Sequence, residues 1–215
     1  MQKVHNSFYD NSRELKYEIS IKYYENGNLK KAVDSTRGNY SVWNENIICS
    51  MEGIHTLMSK DYYVSRLENQ KELIIGKNNS LYDAAFVLNK WDSIFDEQMM
   101  EIKKIRMDSV EAFYRVITKN KYAIDSIDMQ IDIQNYFLKT IIVYYNQSFR
   151  ISKEDGYAPV IKFNYRNYST FPVTEAMQKK YLISNYVTIN KKQDVSVARA
   201  YAGYNIINNL KFQKQ

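Results

Sequence analysis

The side chains best suited to nucleophilic or metal chemistry are few here. They comprise two histidines, His5 and His55, and one cysteine, Cys49. A Cys49–His55 nucleophile and base would have to meet within hydrogen-bond reach. With Ile47, Ile48 and Met51 as neighbours, Cys49 reads instead as a core thiol in a strand. His55, between Ile54 and Thr56, reads as an imidazole facing solvent. One cysteine excludes an internal disulfide and a Cys-based metal site. The zinc-protease HExxH, the GxSxG nucleophile elbow and the GxxxxGK phosphate loop are all absent. Six glycines in 215 residues leave little material for a phosphate cradle. Asp125, Asp128 and Asp132 are close in sequence, but calcium needs oxygens gathered from a sharply turning loop. At strand spacing, Asp128 and Asp132 share a polar face and are solvated there. A glycosidase pair needs two carboxylates at a set separation, and nothing singles out a pair among the 24 acids. No catalytic residue, metal ligand or cofactor is assigned, and the chain is expected to bind rather than catalyse.

Candidate ligand contacts come from aromatic and Met stripes. Leu88, Trp91, Phe95 and Met99 recur at helical spacing, and Tyr17, Tyr23 and Trp43 sit on strands. Together they could line an apolar pocket where a helix and a sheet meet incompletely. Such a stripe more often closes a solid core.

The elements that must hold these residues follow from periodicity. Leu15, Tyr17, Ile19, Ile21 and Tyr23 alternate with Lys16, Glu18, Ser20 and Lys22, which predicts a half-buried strand. Asn26-Gly27 is a hairpin signal, with Leu29–Val33 as the return strand and Asp34–Asn39 as a loop. Strands follow at Tyr40–Trp43, Ile47–Met51, Ile54–Met58, Tyr62–Leu67 and Leu73–Ile75. Ser80 and Asp83 resemble a capping box, and one long helix of about 80–105 is predicted, running from Leu81 to Ile102. Strands resume at Phe113–Thr118, Ala123–Asp132, Leu138–Tyr145 and Val160–Tyr165. Thr174–Leu182 predicts a helical turn or two, and Tyr186–Ile189 a short strand. The fold class is α+β, mainly antiparallel β, in a single domain over 1–215.

Hydrophobic residues at 45% suffice for a sizeable core. Twenty tyrosines fit strands, and fit equally an AT-rich codon usage. Net charge is +6, and residues 176–215 carry the excess, with seven Lys and Arg against Asp194. This basic C-terminal segment offers a peripheral contact to anionic lipid or an acidic partner, and otherwise serves as a solvated face. Nucleic acid is not an expected partner, because the basic residues are sparse and no known recognition pattern occurs. No stretch reaches membrane-span length, and MQKVHNSFYDN lacks the apolar core of a signal peptide.

The order strands, central helix, strands, Tyr-rich tail is carried by two stretches in particular. One is Tyr114-Arg115-Val116-Ile117 with Ile124–Ile141, where a strand ends in Asp132, turns at Asn135 and resumes at an apolar pair. The other is Val160-Ile161-Lys162-Phe163-Asn164-Tyr165. Together they resemble the LolA-like superfamily over roughly residues 13–210. Tyr201–Asn208 is similar to the closing segment of some Bacteroidetes members. The resemblance implies a curved, open half-barrel with the long helix on its concave face. It implies a bacterial envelope protein, periplasmic or attached to the outer membrane, whose signal is removed before Met1. It implies a partner that is a lipid, an acyl chain or an apolar segment of another envelope protein. An adaptor subunit of an envelope assembly such as a secretion apparatus is the alternative, and an enzyme with an unrecognised carboxylate site ranks third. Val4–Asn11 is short for the carriers' amphipathic N-terminal helix, and no residue aligns with the one that gates their cavity. Lipoprotein carriage therefore does not follow.

Overall fold

The computed structural model describes residues 12–25, 29–44, 46–78, 100–118, 124–146 and 159–212. These hold fourteen strands: β1 Arg13–Tyr24, β2 Asp34–Trp43, β3 Asn46–Met51, β4 Ile54–Met58, β5 Tyr62–Leu67, β6 Glu72–Lys77, β7 Met100–Met107, β8 Glu111–Thr118, β9 Ile124–Asp132, β10 Leu138–Tyr145, β11 Val160–Pro172, β12 Val187–Ile189, β13 Val195–Val197 and β14 Asn205–Asn208. The one α-helix among the described residues is α1, Glu175–Lys180, whose first turn is capped by the Thr174 side chain accepting from the Met177 N–H. Twelve of these strands make a large, open, mostly antiparallel sheet, β12 and β13 form a separate pair, and no closed barrel occurs among the described residues.

The described residues fall into two compact units. The first takes in 18–25, 29–37, 100–118, 124–146 and 159–168, and the second 12–17, 38–44, 46–78 and 169–212. Strand order in the first unit is β2-β1-β11-β10-β9-β8-β7, and in the second β14-β6-β5-β4-β3-β2-β1-β11. β14 is the parallel exception, paired with β6.

Alternation sets the two faces, as expected for half-buried strands. In β1, Leu15, Tyr17, Ile19 and Ile21 are buried, as their period predicts. Cys49 is buried on β3, paired with Tyr40 on one side and Thr56 on the other. The β3–β4 hairpin turns on Glu52-Gly53, both at positive φ, the conformation that a two-residue hairpin requires. Gly76 lies opposite Tyr63, whose ring would come within 2.6 Å of any Cβ placed there.

Two predictions are corrected. Leu29–Val33 is not the return strand; it forms turns and bends, with Val33 54% exposed. The return strand is β2, which takes in the polar run Asp34–Asn39. Gly38, Tyr40 and Val42 face inward at period two, and polar residues simply occupy the outward positions. The long helix does not extend to 105. Residues 100–105 lie in β7, paired with β8. Ile102 fits helical spacing from Met99 and also strand alternation, and the pairing offered by β8 decides between them. The rest of that predicted helix, and the Asn26-Gly27 turn, lie outside the described residues.

The basic C-terminal segment is an integral part of the second unit. Val187 and Leu210 join Val64, Leu73 and Ile75 in one buried cluster, flanked by Tyr186, Tyr201 and Tyr204.

Candidate functional site

Leu88, Trp91, Phe95 and Met99 lie outside the described residues. Tyr17 is buried and stacks on Tyr40, ring centroids 5.3 Å apart. Trp43 is half-buried and tilts against Tyr181 at 5.7 Å. Tyr40 and Trp43 are three apart on β2, so they project to opposite faces. Tyr17 and Trp43 therefore cannot line one groove of the second unit. Tyr23 is half-buried in the first unit, and burial, with Tyr23 a smaller cause, raises the Tyr145 pKa.

Glu14 is the described acid that burial singles out, at 0% exposure. It occupies the polar face of β1, where nothing in the local pattern separates it from Lys16 or Glu18. Its Oε1 accepts from Lys180 Nζ and, at 2.7 Å, from the Tyr181 hydroxyl. Its Oε2 lies 3.5 Å from Lys16 Nζ and accepts no hydrogen bond. Burial pushes the carboxyl's pKa up, but the bonds from Lys180 and Tyr181 outweigh it and hold the value below the ordinary range. Burial, then the neighbouring carboxylate, raises Tyr181. The group ties the C-terminal segment to β1 by a charge that Lys180 must neutralise.

The same unit brings Ser50, His55 and Glu68 together. Ser50 Oγ and His55 Nδ1 are 2.7 Å apart on directly paired residues of β3 and β4. His55 Nε2 lies 3.6 Å from Glu68 Oε1, beyond a hydrogen bond, and Arg66 Nη2 donates to that oxygen at 2.6 Å. Cys49 and His55 differ in parity across the same pairing, so they face opposite sides.

In the first unit, register assembles a groove. Lys103, Arg115, Asp128, Ile142 and Lys162 are successive cross-strand partners from β7 to β11, and Phe113, Gln130, Thr140 and Asn164 form the adjoining row. Between these rows lies a groove of about 290 Å³, walled by Ile105, Phe113 and Ile142 with Arg115, Asp128 and Lys162. Arg115 donates to Asp128 through Nε at 2.5 Å and Nη2 at 2.6 Å, a bidentate pair. That bond raises the guanidinium pKa further. Burial, then the Asp128 charge, raises Tyr144 beside them. Lys139 donates to Glu111 at 2.7 Å, and Gln130 donates to the other Glu111 oxygen at 2.8 Å. These bonds lower the Glu111 pKa, and the Lys139–Glu111 bond raises that of Lys139. Among the described residues the Lys162 side chain has no hydrogen-bond or ion-pair partner. Among the described residues the groove thus offers the apolar walls of Ile105, Phe113 and Ile142, the Arg115–Asp128 pair and the Lys162 ammonium. In the sequence Asp128 reads as a solvated strand carboxylate. Its Arg115 partner, thirteen residues away, becomes visible only through strand register. No cluster of three metal-ligating side chains occurs among the described residues.

No family model and no curated protein matches the chain. Among solved structures it is similar to an uncharacterised conserved protein from Thermus thermophilus, at 9% identity over 85% of this chain and 91% of that one, TM-score 0.49. It is also similar to a LolA superfamily protein from Nitrosomonas europaea, at 12% identity over 84% and 96%, TM-score 0.35. A third is a putative outer membrane lipoprotein-sorting protein domain from Vibrio parahaemolyticus, at 10% identity over 83% and 94%, TM-score 0.39. A LolA superfamily protein is thus among the structures this chain is similar to, as the sequence resemblance anticipated.

Proposed function

We propose that the protein is a non-catalytic binding protein of the bacterial envelope, periplasmic or attached to the outer membrane, that holds a lipid, an acyl chain or an apolar protein segment against its sheet. The groove between Phe113 and Ile142 is the observation that carries this reading. Its volume of about 290 Å³ is close to that of the smallest ligand sites. Apolar walls would take a chain, and Lys162 would meet an anionic end. Displacement of a fluorescent fatty acid tests it. Wild-type protein is expected to bind, and Ile142→Glu, which puts a charge on the wall, to lose binding at least about tenfold. Equal binding by both proteins would remove the groove from the reading. An adaptor role in an envelope assembly is a second reading, favoured by exposed Ile102, Ile105, Met107 and Val110.

A further inference from the structure

Deepening the protein-segment arm of that reading, we infer that β7 is an acceptor edge for strand addition, and that its occupant is an extended polypeptide alternating acidic and apolar residues. Among the described residues β7 ends the strand order and has a hydrogen-bonded neighbour on one side only, β8. The outer row of N–H and C=O groups along an edge of this kind is a template for another strand. Its side chains are open to solvent: Ile102 is 49% exposed, Ile105 61% and Met107 54%. Natural edges are blunted by prolines, lysines, bulges or shortness; this eight-residue strand contains no proline, but it carries Lys103 and Lys104 and a register shift between Lys104 and Arg106, so an occupant has to answer those charges.

The charges choose the occupant. Register with β8 puts Glu101, Lys103 and Arg106 on the face of Ile117, Arg115 and Phe113, and puts Ile102, Lys104 and Met107 on the other. A second copy of the chain, laid antiparallel at full overlap, sets Lys103 opposite Lys104 and Glu101 opposite Arg106, so its unlike pairs only offset its like ones. A slip of one residue sets Lys104 or Lys103 opposite itself, and like charges directly opposite are unfavourable. An added strand with acids toward the centre of one face meets Lys103 and Arg106, with Glu101 at the end of that face, and its apolar residues on the other face meet Ile102 and Met107 on either side of Lys104. The present partners of the two cations, Glu101 at 3.5 Å and Asp108 at 3.8 Å, are solvent-exposed ion pairs that cost little to exchange.

The test uses the full chain and labelled eight-residue peptides alternating Val with Asp or Val with Lys, read by fluorescence anisotropy. The acidic peptide is expected to bind about tenfold more tightly than the basic one at low salt, and the gap should narrow as salt rises. In Lys103→Glu/Arg106→Glu, both exposed changes, the preference should reverse. Methylating the backbone nitrogens of alternate residues blocks one edge of the peptide at a time. One methylated form should lose binding and the other keep it. Equal binding of both forms, no binding of either peptide, or a dimer of the protein dispersed by Ile105→Lys would overturn strand addition of this partner. If the peptides fail while fatty-acid displacement persists, the hydrophobic-ligand reading stands without this edge. If both fail, the binding reading falls with it.

Discussion

The two units finish their outermost strands in opposite ways. In the second unit the terminal strand β14 has four residues, and the chain turns at once into a 3-10 turn over Asn209–Phe212. Asn208 donates to the Gln193 carbonyl at 3.1 Å and accepts from Leu210 N–H at 3.0 Å, and Leu210 is buried. In the first unit β7 runs eight residues, carries exposed Ile102, Ile105 and Met107, and leads into exposed Val110. One edge is closed by its own chain, while the other stays exposed. The closed region concentrates stability and the open one concentrates surface available for binding, because burial is what couples a side chain to folding free energy.

Substitutions can break this contrast. Lys180→Met should have the largest effect, about 3–5 kcal/mol, because it strands the buried Glu14 carboxylate. Urea titration measures it, and a loss below about 1 kcal/mol would mean that Lys16 and Tyr181 suffice. Leu73→Ala, at a position with 0% exposure, should cost about 2–5 kcal/mol by the same measurement. Gly76→Ala drives a methyl into the Tyr63 ring, and about 1–3 kcal/mol is expected. Ile105→Ser on the open edge should change stability by less than about 0.5 kcal/mol. A cost comparable to Leu73→Ala would show that β7 is packed against something, and the contrast would fail.

Acid unfolding sharpens the same comparison. Glu14 is held below its ordinary value of 4.5. Its stabilising contribution is therefore present above that value and is lost as pH falls toward the lower folded value. In Lys180→Met the chief lowering bond is gone, so acid unfolding should begin at higher pH than in wild type. Coincident acid transitions, followed by circular dichroism, would remove Glu14 from the account.

Local pattern made much of the framework legible. Leu15 through Ile21 announce β1 by period two, Ile54–Met58, Tyr62–Leu67 and Leu138–Tyr145 have the predicted bounds, and Thr174 marks the start of α1. These are properties of neighbours along the chain, since alternation and capping depend on residues a few positions apart. Where composition opposed pairing, it misled: Asp34–Asn39 is polar and still a strand, and Ile102 to Ile105 follow β8 rather than the helical spacing before them.

The candidate sites depended on tertiary structure. Arg115 finds Asp128, and Ile142 finds Lys162, through register across strands. Glu14 finds Lys180 across 166 residues, and no periodicity on β1 distinguishes it from its exposed neighbours. The open edge is likewise a matter of strand order. The residues of β7 specify a strand, but which side of it lacks a partner is decided by where the chain places the others, because backbone pairing is satisfied between strands and not within one.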